Sequence, residues 1–133
     1  MKFILDNIFL IGIALVSGGA LLLPMLQRRG AKVSHLQATQ YMNQGKTLVL
    51  DVRNPDEFSA GHLPNAKNIP LAELKQRIGE IEKSKKNVVI AVCARGVRSA
   101  TAAALLNKEG FEQVFSLDGG TDAWKSQGLP TVK

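Results

Sequence analysis

The 133-residue chain holds one cysteine, Cys93, with two histidines, one tryptophan and one tyrosine. A single thiol excludes an internal disulfide framework, and one Cys beside two His poorly supplies a thiolate-built zinc site. Aromatics are scarce and scattered after residue 33 (Tyr41, Phe58, Phe111, Phe115 and Trp124), so the stacking platform of a nucleic-acid binder is missing. Internal repeats and low-complexity tracts are also lacking. With 45% apolar and 21% charged residues, wholesale disorder is excluded as well. The length allows one globular domain and a short appendage.

Charge is what residues 7–27 lack entirely. The run from Ile8 to Leu26, IFLIGIALVSGGALLLPML, has nothing ionisable. As a helix it would be about 28 Å long, near the thickness of a bilayer's hydrocarbon core. Ser17, Gly18 and Gly19 are compatible with a close-packing membrane helix, and Pro24 falls near its far end. A cleavable signal peptide is the competing reading, with Gly18-Gly19-Ala20 as a small-residue cleavage site. The flanks oppose it: Lys2 is offset by Asp6, whereas Arg28, Arg29 and Lys32 follow the run. By the positive-inside rule this predicts a single-pass anchor in the inner (cytoplasmic) membrane, with the downstream domain facing the cytoplasm. The formal charge of +6 divides evenly, +3 for residues 1–32 and +3 for 33–133, so half the excess belongs to the anchor and its flank.

Residues 33–133 alternate between helical and strand patterns. Ser34 with Gln37 forms a capping-box signature, predicting a helix that ends near Gly45. Strands are predicted over 47–52, 87–92 and 113–117, each a short, nearly continuous apolar run. Asn54-Pro55-Asp56 reads as a turn. Leu71, Leu74, Ile78 and Ile81 recur at helical spacing after Pro70, with Gly79 weakening the last turn. An Ala-rich helix is predicted from Ser99 to Lys108, closed by Gly110, and a final short helix capped by Thr121 carries Trp124. Strands alternating with helices predict a three-layer α/β domain with a parallel sheet covered on both faces.

The lone thiol stands where such sheets bind ligands, beyond the carboxyl end of the most apolar strand. The loop reads Cys93-Ala94-Arg95-Gly96-Val97-Arg98-Ser99 and leads into the Ala-rich helix. Three features favour a thiolate: the helix N-terminus with its free amides, the charges of Arg95 and Arg98, and Gly96, which lets successive N–H groups curl inward. A thiolate is the reactive form of cysteine, so the chemistry predicted here is nucleophilic and requires an ionised, reachable sulfur. The plain alternative is an inert Cys at the end of a core strand, a common place for this residue type.

The domain resembles a single-domain rhodanese (sulfurtransferase) module. The likeness rests on Asp51-Val52-Arg53-Asn54-Pro55-Asp56-Glu57-Phe58, on Gly61-His62-Leu63-Pro64-Asn65-Ala66 with Asn68-Ile69-Pro70, on the Cys93–Ser99 loop, and on Leu117-Asp118-Gly119-Gly120-Thr121-Asp122-Ala123-Trp124. It spans about residues 34–130 and leaves the apolar segment outside. It implies that Cys93 attacks the outer sulfur of a small anionic donor such as thiosulfate or a persulfide, and that an acceptor then takes the sulfur. The acceptor would be cyanide, a thiol or a protein cysteine. By the same likeness the amides of Ala94, Arg95, Gly96, Val97, Arg98 and Ser99 bind the donor and the persulfide, and Arg98 orients the donor's oxyanion. Asp51, Arg53, Glu57 and His62 support the fold and the rim; no cofactor or metal is implied.

Residue by residue, Arg53 with Glu57 reads as a structural ion pair. His62 reads as a hydrogen-bonded loop residue, because attack by a thiolate needs no adjacent base. His35 reads as a surface residue and Trp124 as a core anchor. Arg95 stands where the family often has a small hydroxyl residue, which predicts a more cationic loop. With no second Cys to resolve a persulfide, sulfur must leave to an external acceptor. Cys-dependent phosphatases use a related oxyanion cradle, but their arginine lies six residues after the Cys and a His precedes it. Here Ser99 holds the sixth position and Val92 precedes Cys93. A non-catalytic, membrane-anchored docking or sulfur-carrier module is the remaining alternative.

Overall fold

The computed structural model describes residues 7–8 and 31–133. The anchor expected over residues 7–27 therefore lies, apart from Asn7 and Ile8, outside the described residues. Among the described residues no helix is long and apolar enough to cross a membrane.

Five parallel strands form one sheet in the order β1-β5-β4-β2-β3. They are β1 (Lys32–Val33), β2 (Leu48–Asp51), β3 (Lys67–Asn68), β4 (Val88–Val92) and β5 (Gln113–Leu117). The helices are α1 (His35–Asn43), α2 (Pro55–Ser59), α3 (Leu71–Arg77), α4 (Val97–Lys108) and α5 (Gly120–Ser126), with a 3₁₀ helix over Ile78–Ser84. β4 is central. Its Val89 and Ala91 enter the core under α3 and α4 with Leu74, Ala102, Ala103 and Leu106. Its Ile90 and Val92 enter the opposite core with Ala38, Leu63, Leu117 and Trp124. This alternation puts Cys93, just past the strand, on the α4 side. Ala102 and Ala103 are 0% exposed, so the Ala-rich face lets α4 approach the sheet closely.

The Ser34–Gln37 capping box forms as read. The expected turn at Asn54-Pro55-Asp56 is instead the start of α2. Asn54 is its N-cap, Pro55 occupies the first turn, and the Glu57 carboxylate accepts the Asn54 N–H at 3.2 Å. Turn and helix-start signals share these residue types, and the reciprocal Glu decides between them. The helix read through Ile81 tightens to 3₁₀ geometry at Ile78, next to Gly79, while Ile81 still reaches the core. Thr121 does not cap α5. Gly119, at φ 72°, is the cap, and Thr121 is already helical with its N–H committed elsewhere. The two-residue strands β1 and β3 carry no readable periodicity, and Lys32 already pairs with Ser116.

Candidate active site

The loop after β4 closes around sulfur. Gly96 adopts φ 96°, a left-handed conformation natural to glycine, and starts α4 without any side-chain cap. Cys93 Sγ accepts the N–H of this N-cap residue, Gly96, at 3.0 Å. The amides of Ser99 and Arg95 also bear on the sulfur, as does the Ser99 hydroxyl, whose Oγ is 3.4 Å away. Burial pushes the Cys93 pKa up. The Ser99 hydroxyl and the N–H groups of Ser99, Gly96 and Arg95 outweigh it, so the thiol lies below its ordinary value. Cys93 is only 1% exposed, so the sulfur sits at the floor of the loop rather than on the open surface the chemistry called for. Around it the exposed rim is Arg95 and Val97.

The loop is held in shape by α5. The Thr121 N–H donates to the Cys93 carbonyl at 2.8 Å and the Asp122 N–H to the Ala94 carbonyl at 3.0 Å. With both carbonyls turned outward toward α5, the amides that follow are free to face the sulfur. This close approach requires Gly120, at φ 62°, because a Cβ there would collide with the Cys93 carbonyl oxygen and the Ala94 carbonyl. The Gly-Gly turn that the sequence offered merely as a turn is thus a mould for the Cys93 loop.

The charged residues pair differently from the reading. The expected Arg53–Glu57 pair does not form. Arg53 instead binds Asp51 at 2.7 Å, the two side chains being 4% and 0% exposed, and donates to the Gly61 carbonyl at 2.7 Å. Asn68 Nδ2 donates to the Asp51 and Arg53 carbonyls at 3.0 and 2.9 Å, locking the end of β2. Arg53 is drawn to the carboxylate two residues back, already fixed at the strand end, leaving Glu57 free to face α4. Glu57 takes Arg98 in a bidentate pair at 2.8 and 2.9 Å. The Arg98 hydrogen bonds hold the Glu57 carboxyl down at about 2 against burial, with help from the Asn54 N–H and the Arg53 charge. Arg98 is raised, chiefly by Glu57 and further by the Cys93 and Asp51 charges. The loop is consequently less cationic than two free arginines would make it. Arg95, 86% exposed at its side chain, reaches Asp122 at only 3.7 Å.

His62 Nδ1 bonds the Phe58 carbonyl at 2.9 Å, its ring stacks on Phe58 at 3.7 Å, and its backbone pairs with Val132. It shapes the rim. His35 is not a free surface residue: its Nε2 meets the Asp118 carbonyl at 3.0 Å and its ring stands edge-on to the buried Trp124. Ser116 escaped the sequence reading. It lies 1% exposed beneath α4 with its Oγ 2.7 Å from Ser99 Oγ. The signal was a Ser at a core-facing position two residues after Val114.

A doubly covered parallel sheet with a cysteine of lowered pKa in an amide-lined loop defines an α/β domain whose lone thiol lies at a strand-to-helix switch. The rhodanese-like domain model matches residues 34–127, and the chain belongs to the rhodanese-like family. It is 44% identical over 79 residues to the uncharacterized protein YqhL of Bacillus subtilis, covering 59% of this chain and 61% of that one. It is 32% identical over 94 residues to the thiosulfate sulfurtransferase GlpE of Pseudoalteromonas translucida, covering 71% of this chain and 88% of that enzyme. Among solved structures, a rhodanese-related protein from Thermoplasma volcanium superposes with a TM-score of 0.67 at 33% identity, over 77% of this chain and 97% of that one.

Proposed function

We propose that the chain is a sulfurtransferase that moves a sulfane sulfur from thiosulfate or a persulfide to a thiophilic acceptor. The observation that carries this reading is the sulfur of Cys93 cradled by inward amides, with the Gly96 N–H at 3.0 Å. The Cys93 thiolate attacks the donor's outer sulfur, forming a new S–S bond. The bond to the sulfonate sulfur breaks and sulfite leaves with its electron pair. Cyanide, a small thiol or a protein cysteine then attacks the outer sulfur of the persulfide and returns the thiolate. Amides from Ala94 to Ser99 stabilise the anion throughout, since they are fixed by α5 before the reaction begins. Arg98 contributes to donor binding in competition with Glu57. The resemblance to a thiosulfate sulfurtransferase supports the same chemistry. Thiosulfate-dependent thiocyanate formation, abolished in a folded Cys93→Ala variant, is the result expected; retained turnover in that variant overturns the mechanism.

One observation favours a second reading. Cys93 is 1% exposed, which suits a docking module whose thiol turns over little. That reading predicts no thiocyanate above the Cys93→Ala background.

On location, the proposal is an inner-membrane anchor over residues 7–27 with the domain in the cytoplasm, supported by the uncharged run and its basic flank. Lys32 and Val33 of β1 pair with Ser116 and Leu117 at the carboxyl end of β5, and Ser116 pairs in turn with Ala91, so β1 lies at the same end of the sheet as the Cys93 loop. Protease treatment of sealed inside-out vesicles should remove the domain; full protection would reverse the orientation.

A further inference from the structure

Three buried side chains form a short array: Cys93 Sγ lies 3.4 Å from Ser99 Oγ, which lies 2.7 Å from Ser116 Oγ. Ser99 and Ser116 are 0% and 1% exposed. Among the described residues Ser116 Oγ has no other hydrogen-bond partner, and Ser99 Oγ has only these two. The hydrogens can then be counted. With a neutral thiol the array holds three S–H and O–H hydrogens but two contacts, so one hydrogen is left without an acceptor in a dry core. With a thiolate there are two hydrogens for two contacts. Ser116 then donates to Ser99, and Ser99 donates to the sulfur.

We propose that Ser116 is a positioning residue that fixes the Ser99 hydroxyl as a donor to Cys93 and so selects the thiolate. The inference deepens the sulfurtransferase reading and rests on it. Ser116 sits in the middle of the sheet, its register partners being Ala91 on β4 and Lys32 on β1. Neither offers a side-chain acceptor to compete for its hydroxyl. Besides the two serines, the charges facing the loop are Arg95 with Asp122, Arg98 with Glu57, and the Asp51–Arg53 pair at the end of β2. None of these touches Ser116, so its substitution leaves them in place.

The test exploits the single cysteine: the pH dependence of iodoacetamide alkylation on the full chain reports Cys93 alone. Ser116→Ala removes the hydrogen bond that orients the Ser99 hydroxyl toward the sulfur. It should lower the alkylation rate below the thiol pKa about threefold, with Ser99→Ala lowering it about tenfold, each reflecting less thiolate. Ser116→Thr, which keeps the hydroxyl, should restore the wild-type profile. A merely structural Ser116 would alter melting temperature and leave the profile where it was. A Ser116→Ala profile superimposed on wild type, or a shift that Ser116→Thr does not reverse, overturns the proposal. An ordinary thiol pKa in the wild type would instead remove the sulfurtransferase reading on which it rests.

Discussion

Replacing Glu57 with Gln separates two roles for Arg98. In the folded protein the guanidinium is clamped by two bonds to the Glu57 carboxylate, at 2.8 and 2.9 Å. Both side chains are 35% exposed, so solvent screens the pair and its net worth is about 1 kcal/mol. An arriving anionic donor must displace that carboxylate to gain Arg98. In Glu57→Gln the side-chain amide oxygen can still accept from the Asn54 N–H, so α2 keeps its cap. With the competing charge gone, donor binding should improve by about the same 1 kcal/mol, roughly a fivefold fall in KM for thiosulfate. Folding stability should fall by about 1 kcal/mol, while kcat stays close to wild type because the amide cradle is untouched. Steady-state thiocyanate formation at varied thiosulfate, paired with urea unfolding, reads both effects. In the double variant Glu57→Gln with Arg98→Ala, the KM gain should vanish. A stability loss with unchanged or higher KM would show that Arg98 is a strut between α2 and α4, and the assigned donor contact would be wrong.

Gly120→Ala places a Cβ against the Cys93 and Ala94 carbonyls, so the loop must move. It should cost about 1–3 kcal/mol in chemical denaturation and raise the Cys93 alkylation pKa; a variant as stable and reactive as wild type would contradict the mould. Arg53→Ala leaves the buried Asp51 carboxylate, 0% exposed, without its cation. A loss of about 3–5 kcal/mol in urea unfolding is expected, and a loss under about 1 kcal/mol would show that the pair is dispensable. Glu57 is held at about 2, below its unfolded 4.5, so its contribution is complete above pH 4.5 and is lost as pH falls toward 2. The stability gap between wild type and Glu57→Gln should therefore close on acidification; a gap that widens would contradict the pairing.

The parts of the fold legible in the sequence were those with strong periodicity or strong local chemistry. The apolar run of β4 and the Ala-rich helix after it placed Cys93 at a strand-to-helix switch, because apolar pattern and burial coincide there. The Ser34–Gln37 box was legible for the same reason: both partners lie within one turn. Long-range pairing was not legible. Arg98 meets a carboxylate 41 residues earlier in the chain, and nothing local distinguishes that partner from Arg53, four residues before Glu57. Gly120 and Ser116 were hidden likewise, since their roles exist only once α5 and β5 pack against the loop. The burial of Cys93 was legible only as the alternative of an inert cysteine at the end of a core strand, not as a property of a reactive thiol. A loop rich in arginine and glycine reads as exposed, yet its amides turn inward around the sulfur and cover it.

Whether the amide ring holds Cys93 as a thiolate able to carry sulfur can be read from an intact-mass spectrum of the thiosulfate-treated protein. Wild type should gain the mass of one sulfur atom, lost again on adding cyanide, and Cys93→Ser should gain none. A wild-type protein that gains no sulfur, or a Cys93→Ser variant that gains as much, would refute the persulfide and with it the sulfurtransferase.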